Sequence, residues 1–455
     1  MEVDLNTYKY HAFSKKENKI NYGEINTPFT LVNEMLDMMP IDIFRNKNLK
    51  WLDPGCGYGY FSIILFKRLF TGLADIIVDE KERRDHIIKN MIWMIEINDE
   101  HMENLKGVFG DDANIINHDF IEYNFSLQFD IILGNPPYNC NGQKKVPTNS
   151  DLSKKEDGYT AWFYFVRKSM SLLKNNGYLL FIIPSIWMKP DKAKIYDYML
   201  QFKILKLHTL TNTQTNKIFS GNAQTPTCYF LLQNTKPNEY ITLYDTTLSA
   251  YVDYVLKPQV PIPVFGASVV NKLREYTDKF GSLSVIKTNT LSKKISVSKD
   301  PSKSFCYKNV KTCTLNCVTP KLVIEYTNAE GPYHNVPKLI LAHKMYGFPY
   351  YDKKGEFGIS NRDNYVIVNK THQEFLELRD FFSTKLALYL FEATRYRMKY
   401  LEKYIFELIP DITKITDFPT IINDESLFAF FSINEKERKS ILELHKKSYN
   451  FIPSL

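Results

Sequence analysis

Asn135-Pro136-Pro137-Tyr138 is the stretch whose residue types are best suited to chemistry. It follows Phe129-Asp130-Ile131-Ile132-Leu133-Gly134, an apolar run that reads as a buried strand. Each proline holds φ at about −65° and lacks an N–H. The residue before each proline is biased toward extended backbone. The carbonyls of Asn135 and Pro136 are therefore held stiffly at a strand end. The Asn135 side-chain oxygen and the Pro136 carbonyl can each accept one hydrogen of an exocyclic amine. Tyr138 can lie on the ring that carries the amine. The plainer reading is that Asn-Pro and Pro-Pro only punctuate a loop.

A second stretch, Asp53-Pro54-Gly55-Cys56-Gly57-Tyr58-Gly59, follows the short apolar run 49–52 and precedes a helix to about Phe70. Strand, glycine-rich turn and helix is how α/β folds bring a nucleotide-like ligand against backbone. The spacing is not that of a dinucleotide fingerprint. The leading carboxylate suits a cationic amine, such as that of a methionine moiety. A purely structural turn is the alternative. Glu96, at the end of run 91–97, can take a ribose diol with its carboxylate. Its interval of 43 residues from Asp53 is about twice the usual one. Asp79, after the shorter run 75–78, is the rival for that role. Asp119, ending run 114–120, can accept from an adenine amine, with Phe120 against the ring.

The elements that must position these residues follow from apolar patterning. Runs 49–52, 91–97, 114–120, 129–134, 178–184, 203–210 and 226–233 read as seven strands. Thr27 reads as an N-cap, with Pro28 at the first helical position. Helices are expected over 79–90 and over 159–176, the latter closed by Gly177. The pattern breaks around 246–263, where Pro258, Pro261 and Pro263 crowd together. Beyond it lie strand-like pieces at 322–324, 339–341 and 365–368, a long helix over 373–406, and a helical tail from Glu425.

At 455 residues two domains are expected. The boundaries read from the pattern are 1–245 for a catalytic domain, 246–420 for a second domain and 421–455 for a helical tail. Hydrophobic content of 44% and charged content of 24% fit a globular chain rather than a disordered or fibrous one. The net charge of +7 permits a polyanionic partner. Residues 287–311 hold seven lysines against the single acid Asp300. Such a run is a solvated face or a track for phosphates. The start lacks a signal-peptide pattern, and no apolar run is long enough for a membrane helix, so an intracellular, cytoplasmic protein is expected. The six cysteines lack paired zinc-site spacing. Cys306, Cys313 and Cys317, with His334 and His343, are a minor zinc alternative. No metal is expected.

Thr27-Pro28, Asp53-Pro-Gly-Cys-Gly-Tyr-Gly59 and Asn135-Pro-Pro-Tyr138, in that order before a large second domain, resemble the gamma class of N6-adenine DNA methyltransferases of restriction–modification systems. The resemblance covers residues 21–235 and extends more faintly into the second domain, around Pro337–His343. It implies a Rossmann-like α/β fold that uses S-adenosylmethionine, with a mixed α+β target-recognition domain behind it. By resemblance, Thr27, Asp53, Gly55 and Gly57 hold the methionine part of the cofactor. Glu96 holds the ribose, Asp119 and Phe120 hold the adenine, and Pro137 lies against the cofactor. Asn135 and Pro136 bind the amine of a target adenine flipped out of duplex DNA. Tyr138 stacks on one face of that base and Phe219 on the other. The pyramidal amine nitrogen then attacks the sulfonium methyl in line, with no metal and no covalent intermediate.

Lys144, Lys145, Lys293, Lys294, Arg395 and Arg397 are the candidates for DNA-backbone contacts. The implied partner is double-stranded DNA. The resemblance leaves room for a separate cognate restriction endonuclease acting on the same site, and a monomer is expected. No nuclease motif is read in the second half, so methylation without cleavage is expected. Asn-Pro-Pro-Tyr also serves methyltransferases of protein glutamine and of RNA bases, which remain rivals. A catalytically inactive DNA-binding relative is the other.

Overall fold

The structure is a computed structural model. It describes residues 16–140, 159–191, 193–223, 225–289, 294–314, 321–343, 349–359, 364–396 and 401–444. The chain divides into two compact units, one of residues 1–244 with 253–258, the other of 245–252 with 259–455.

The first unit is built on a nine-stranded sheet. Its strands are β1 (Trp51–Pro54), β2 (Ile92–Glu96), β3 (Asn114–Asn117), β4 (Phe129–Gly134), β7 (Leu173–Pro184), β8 (Lys203–Leu210), β9 (Thr227–Gln233), β10 (Tyr240–Asp245) and β11 (Ala250–Val255). A small separate ribbon pairs β5 (Asn139–Cys140) with β6 (Tyr159–Thr160). The sheet order is β11-β10-β8-β9-β7-β4-β1-β2-β3. β1 runs parallel to β2 and β4, β2 to β3, and β4 to β7. β9 is inserted antiparallel between β7 and β8. This is an open, mainly parallel α/β sheet, the fold class expected from the sequence. The centre of β1, β4 and β7 is apolar on both faces, as a sheet covered by helices requires. Strand order reverses between β1 and β4. Ligands of open α/β sheets bind at such a switch point, beyond the carboxyl ends of the strands. Asp53 closes β1 and Asn135 follows β4 at that point.

The helices of this unit are α1 (Lys16–Asn21), α2 (Phe29–Leu36), α3 (Tyr60–Gly72), α4 (Glu80–His86), α5 (Met102–Phe109), α6 (Trp162–Leu172), α7 (Ile195–Met199) and α8 (Asn212–Ile218). Leu31, Val32, Met35 and Leu36 of α2 and Ile63, Leu65 and Leu69 of α3 pack into one core with sheet residues such as Trp51 and Met94.

The strands of the second unit are β12 (Ile286–Lys287), β13 (Val297–Ser298), β14 (Tyr307–Thr314), β15 (Lys321–Thr327), β16 (Lys338–Ala342), β17 (Pro349–Asp352), β18 (Gly358–Ile359) and β19 (Asn364–Ile367). They form two four-stranded sheets, one ordered β12-β19-β16-β17 and the other β13-β15-β14-β18. Val310, Ile340, Phe357, Ile359 and Val366 share a core. Helices α9 (Ala267–Phe280), α10 (His372–Phe382), α11 (Lys385–Ala393), α12 (Asp424–Phe430) and α13 (Glu435–Leu444) complete it.

Several sequence expectations are corrected. The helix expected over 159–176 ends at Leu172. Leu173 pairs with Phe129 of β4, and Lys174 donates to both oxygens of Asp130 at 2.9 Å, so strand pairing overrides the helical pattern. Gly177 lies inside β7 and caps nothing. The helix expected over 79–90 is present, α-helical over Glu80–His86 and π-helical over Ile87–Met91. The helix expected over 373–406 breaks at Ser383. Thr384 then caps α11, accepting from the Ala387 N–H at 3.2 Å. Strands β10 and β11 are too polar to stand out by apolar patterning. Among the described residues, no helix is long and apolar enough to cross a membrane.

Candidate active site

The carboxyl ends of β1, β2 and β4, with the segment before α2, enclose a cavity of about 360 Å³. Asn135, Pro136, Pro137 and Tyr138 line it. Asp53, Gly55, Gly57, Glu96, Asp119 and Phe120 line it as well. Thr27 lines it too.

Thr27 does not cap α2. Pro28 occupies that position, and the Thr27 hydroxyl oxygen accepts from Asn135 Nδ2 at 3.0 Å. The same Nδ2 donates to the Ile25 carbonyl at 3.3 Å. Two acceptors on one side fix the amide's orientation, since its oxygen could not face the Ile25 carbonyl. Asn135 Oδ1 is shielded from solvent and has no hydrogen-bond partner. It is an acceptor held ready for a donor that enters the cavity. The Tyr138 hydroxyl is likewise buried without a partner. Burial pushes its pKa well above the ordinary tyrosine range. Ala161 N–H donates to the Tyr138 carbonyl at 3.1 Å, which steadies the loop's far end.

The glycine turn is tied to β2 by Gly55 and Cys56 N–H, which both donate to the Ile95 carbonyl, at 2.8 and 3.1 Å. Gly55 and Gly57 have φ of +75° and +55°. That turns the Gly57 N–H onto Glu96 Oε2 at 2.7 Å, a backbone shape that side-chain-bearing residues rarely adopt. The Asn98 N–H donates to Glu96 Oε1 at 2.9 Å. Burial still leaves the Glu96 pKa raised. Asp53 is fully enclosed, and one oxygen accepts from the Ser62 hydroxyl at 2.8 Å. Burial, opposed by that bond and aided by the charge of Glu96, lifts its pKa to about 7. Asp79, the rival of Glu96, is exposed and caps α4 by accepting from the Glu82 N–H at 2.8 Å. It does not line the cavity.

Asp119 Oδ1 accepts from the Ile121 N–H at 2.7 Å, forming a tight turn after β3. Phe120 packs on Phe165 of α6, with ring centroids 5.0 Å apart. From α6, Lys168 Nζ donates to the carbonyls of Ile121 and Tyr123 at 2.7 and 2.6 Å, which locks that turn.

Phe219 is not brought to the cavity. It is 1% exposed and belongs to the hydrophobic core beside Leu210, Ala223 and Tyr229. Its aromatic bulk serves packing there, which corrects its assignment to a base face. Of the DNA-backbone candidates, Lys144, Lys145, Lys293 and Arg397 lie outside the described residues. Lys294 is exposed. Arg395 is engaged by Glu392 of its own segment at 2.9 and 3.3 Å, so its charge is already countered. Among the described residues no His, Cys, Asp and Glu cluster could hold a metal.

Motif reading does not reach Glu24, His101 and Phe165, which also line the cavity with Tyr58. The signals present in the sequence are the acidic segment after β2, Asn98-Asp-Glu-His101, and the carboxylate three residues before Thr27.

Residues 45–219 match the model of the Eco57I restriction-modification methylase family. The chain is similar to the type II methyltransferase M.AccI of Acinetobacter calcoaceticus, 29% identical over 202 residues, 42% of this chain and 33% of that protein. It is similar to M.HincII of Haemophilus influenzae, 28% identical over 188 residues, 39% of this chain and 30% of that protein. It therefore spans about a third of the length of these relatives. Among solved structures, the DNA complex of the type IIL restriction-modification enzyme MmeI aligns over 97% of this chain and 78% of its own, at 12% identity and a TM-score of 0.47. Methylases of this family use S-adenosylmethionine. The cavity's donor set fits that cofactor. It offers buried carboxylates for an ammonium and for hydroxyls, and an aromatic wall beside Asp119 for a purine.

Proposed function

We propose that this chain methylates N6 of adenine at specific sites in duplex DNA, as the modification enzyme of a type II restriction–modification system. The observation that carries the reading is the Asn135 amide. Its Nδ2 is bound by Thr27 and Ile25, and its buried Oδ1 is left for an incoming donor.

Bound S-adenosylmethionine supplies an electrophilic methyl group. Everything else falls to the protein. Asp53 binds the cofactor's ammonium, Glu96 its ribose, and Asp119 with Phe120 its adenine. Asn135 Oδ1 and the Pro136 carbonyl each accept one hydrogen of the target amine. That pairing draws the nitrogen toward pyramidal geometry and frees a lone pair otherwise delocalised into the ring. The contribution is orientation and preorganised electrostatics, with little reorganisation at the moment of reaction. Tyr138 stacks on the base. An amine inside a duplex is out of reach, so the base is flipped out. Stacking on Tyr138 offsets part of the unstacking cost, by about 1–3 kcal/mol.

The second unit supplies target recognition in this reading, and its lysine-rich segment supplies phosphate contacts. A separate endonuclease acting at the same site fits a type II arrangement. Radiolabelled methyl transfer from S-adenosylmethionine into unmethylated duplex DNA, followed by nucleoside analysis, tests the reading. The expected product is N6-methyladenine. Label in RNA or protein alone would overturn it.

A further inference from the structure

Glu24 has a place in the cavity that neither the motifs nor the catalytic proposal uses. It lines the cavity beside Glu96 and His101. Its side chain is 8% exposed, and neither carboxylate oxygen has a hydrogen-bond partner. Its charged neighbour is the His101 imidazole, an ion pair without hydrogen-bond geometry, so both oxygens keep acceptor capacity for a donor that enters the cavity. Glu96 is in the opposite condition, since each of its oxygens already accepts a backbone N–H.

Geometry links the two acids. His101 Nε2 stands 3.4 Å from Glu24 Oε2, and His101 Nδ1 stands 3.8 Å from Glu96 Oε1. The Tyr58 ring packs on the imidazole with centroids 4.3 Å apart. The imidazole thus stands between the two carboxylates, one ring nitrogen toward each. Glu24 is aimed there by backbone. Gly23 has φ +69°, and a Cβ on it would fall 2.1 Å from the Asn139 carbonyl oxygen. The chain therefore runs tight against the segment that follows Tyr138.

We propose that Glu24 is a second ribose-binding carboxylate, accepting hydrogen bonds from the cofactor's ribose hydroxyls alongside Glu96; this rests on the reading of the cavity as the S-adenosylmethionine site. A ribose carries two adjacent hydroxyl donors, and the carboxylates on either side of His101 both line the cavity as acceptors. Asp53, at the end of the neighbouring strand, is left to the ammonium.

The test is calorimetric binding of 5′-methylthioadenosine, which carries adenine and ribose but no amino acid, and of its 2′,3′-dideoxy counterpart. Wild type is compared with Glu24→Gln and Glu24→Ala. Removing a hydrogen bond to a charged acceptor should weaken the ribose ligand by about tenfold to a hundredfold. The dideoxy ligand should bind wild type and variants equally, which also reports that the variants keep a folded site. Unchanged affinity for the ribose ligand, or an equal loss for both ligands, overturns the role of Glu24. Failure of the wild type to bind either 5′-methylthioadenosine or S-adenosylmethionine overturns instead the reading of the cavity on which it rests.

Discussion

An asparagine amide has two donors and one acceptor oxygen, so its value to an amine depends on which end is already engaged. At Asn135 the donor end is engaged by Thr27 and Ile25. Thr27 reads as a helix cap in the sequence, yet its hydroxyl orients the amide. Asp53 carries a second residue-scale consequence. Its pKa of about 7 means that the free protein keeps the carboxyl protonated below that pH. The unfolded acid ionises at about 3.9, so across that window the unfolded state releases its proton first. Stability of the free protein should therefore fall as pH rises to about 7 and level off above. A cationic ammonium favours the ionised form, so cofactor affinity should rise with pH up to the same point, with proton release on binding. Calorimetry on either side of neutrality checks this, and Asp53→Asn should flatten both trends. Affinity that falls as pH rises would contradict the assignment.

Elements bring these residues together, and they are legible in the sequence to different degrees. The strands that carry Asp53 and Glu96 and lead into Asn135 are apolar runs, mostly buried, a pattern that is local and visible in sequence. Helix lengths are less legible. Nothing local in 173–176 announces that Leu173 will pair with Phe129 or that Lys174 will meet Asp130. The resemblance assigns Phe219 to a face of the target base, yet packing takes its ring into the core. Glu24 and His101 are 77 residues apart in sequence, and only tertiary closure makes them neighbours. The same holds for Lys168, which fastens the Asp119–Tyr123 turn from α6. Lys168→Met should remove two charge-assisted bonds and loosen the adenine side of the site. The expected result is a cofactor KM raised by about tenfold or more, with kcat at saturation little changed. A lower kcat at unchanged KM would place Lys168 elsewhere in the reaction.

For the whole molecule, the division of labour is the claim that remains to be measured. The first unit holds every residue of the cavity. The second carries the lysine-rich segment, in which Lys308 and Lys311 lie 3.3 and 3.7 Å from Glu356 and Glu325. Lys294, Lys299 and Lys303 are exposed on it. If this face tracks phosphates, replacing those three with alanine should weaken binding to specific and unrelated duplexes alike. The slope of log affinity against log salt should shrink by about 0.9 for each lysine–phosphate pair removed. Fluorescence anisotropy over a salt series reads both. An unchanged slope would mean that the run is only a solvated face.

The central claim is that Asn135 Oδ1 accepts the target amine. Single-turnover methyl transfer to duplex DNA, measured at saturating cofactor for wild type and Asn135→Ala, tests it most directly. The predicted result is formation of N6-methyladenine by the wild type and a rate lower by about 10²–10³ or more in the variant, with cofactor affinity nearly unchanged. Transfer at the wild-type rate by Asn135→Ala would contradict it.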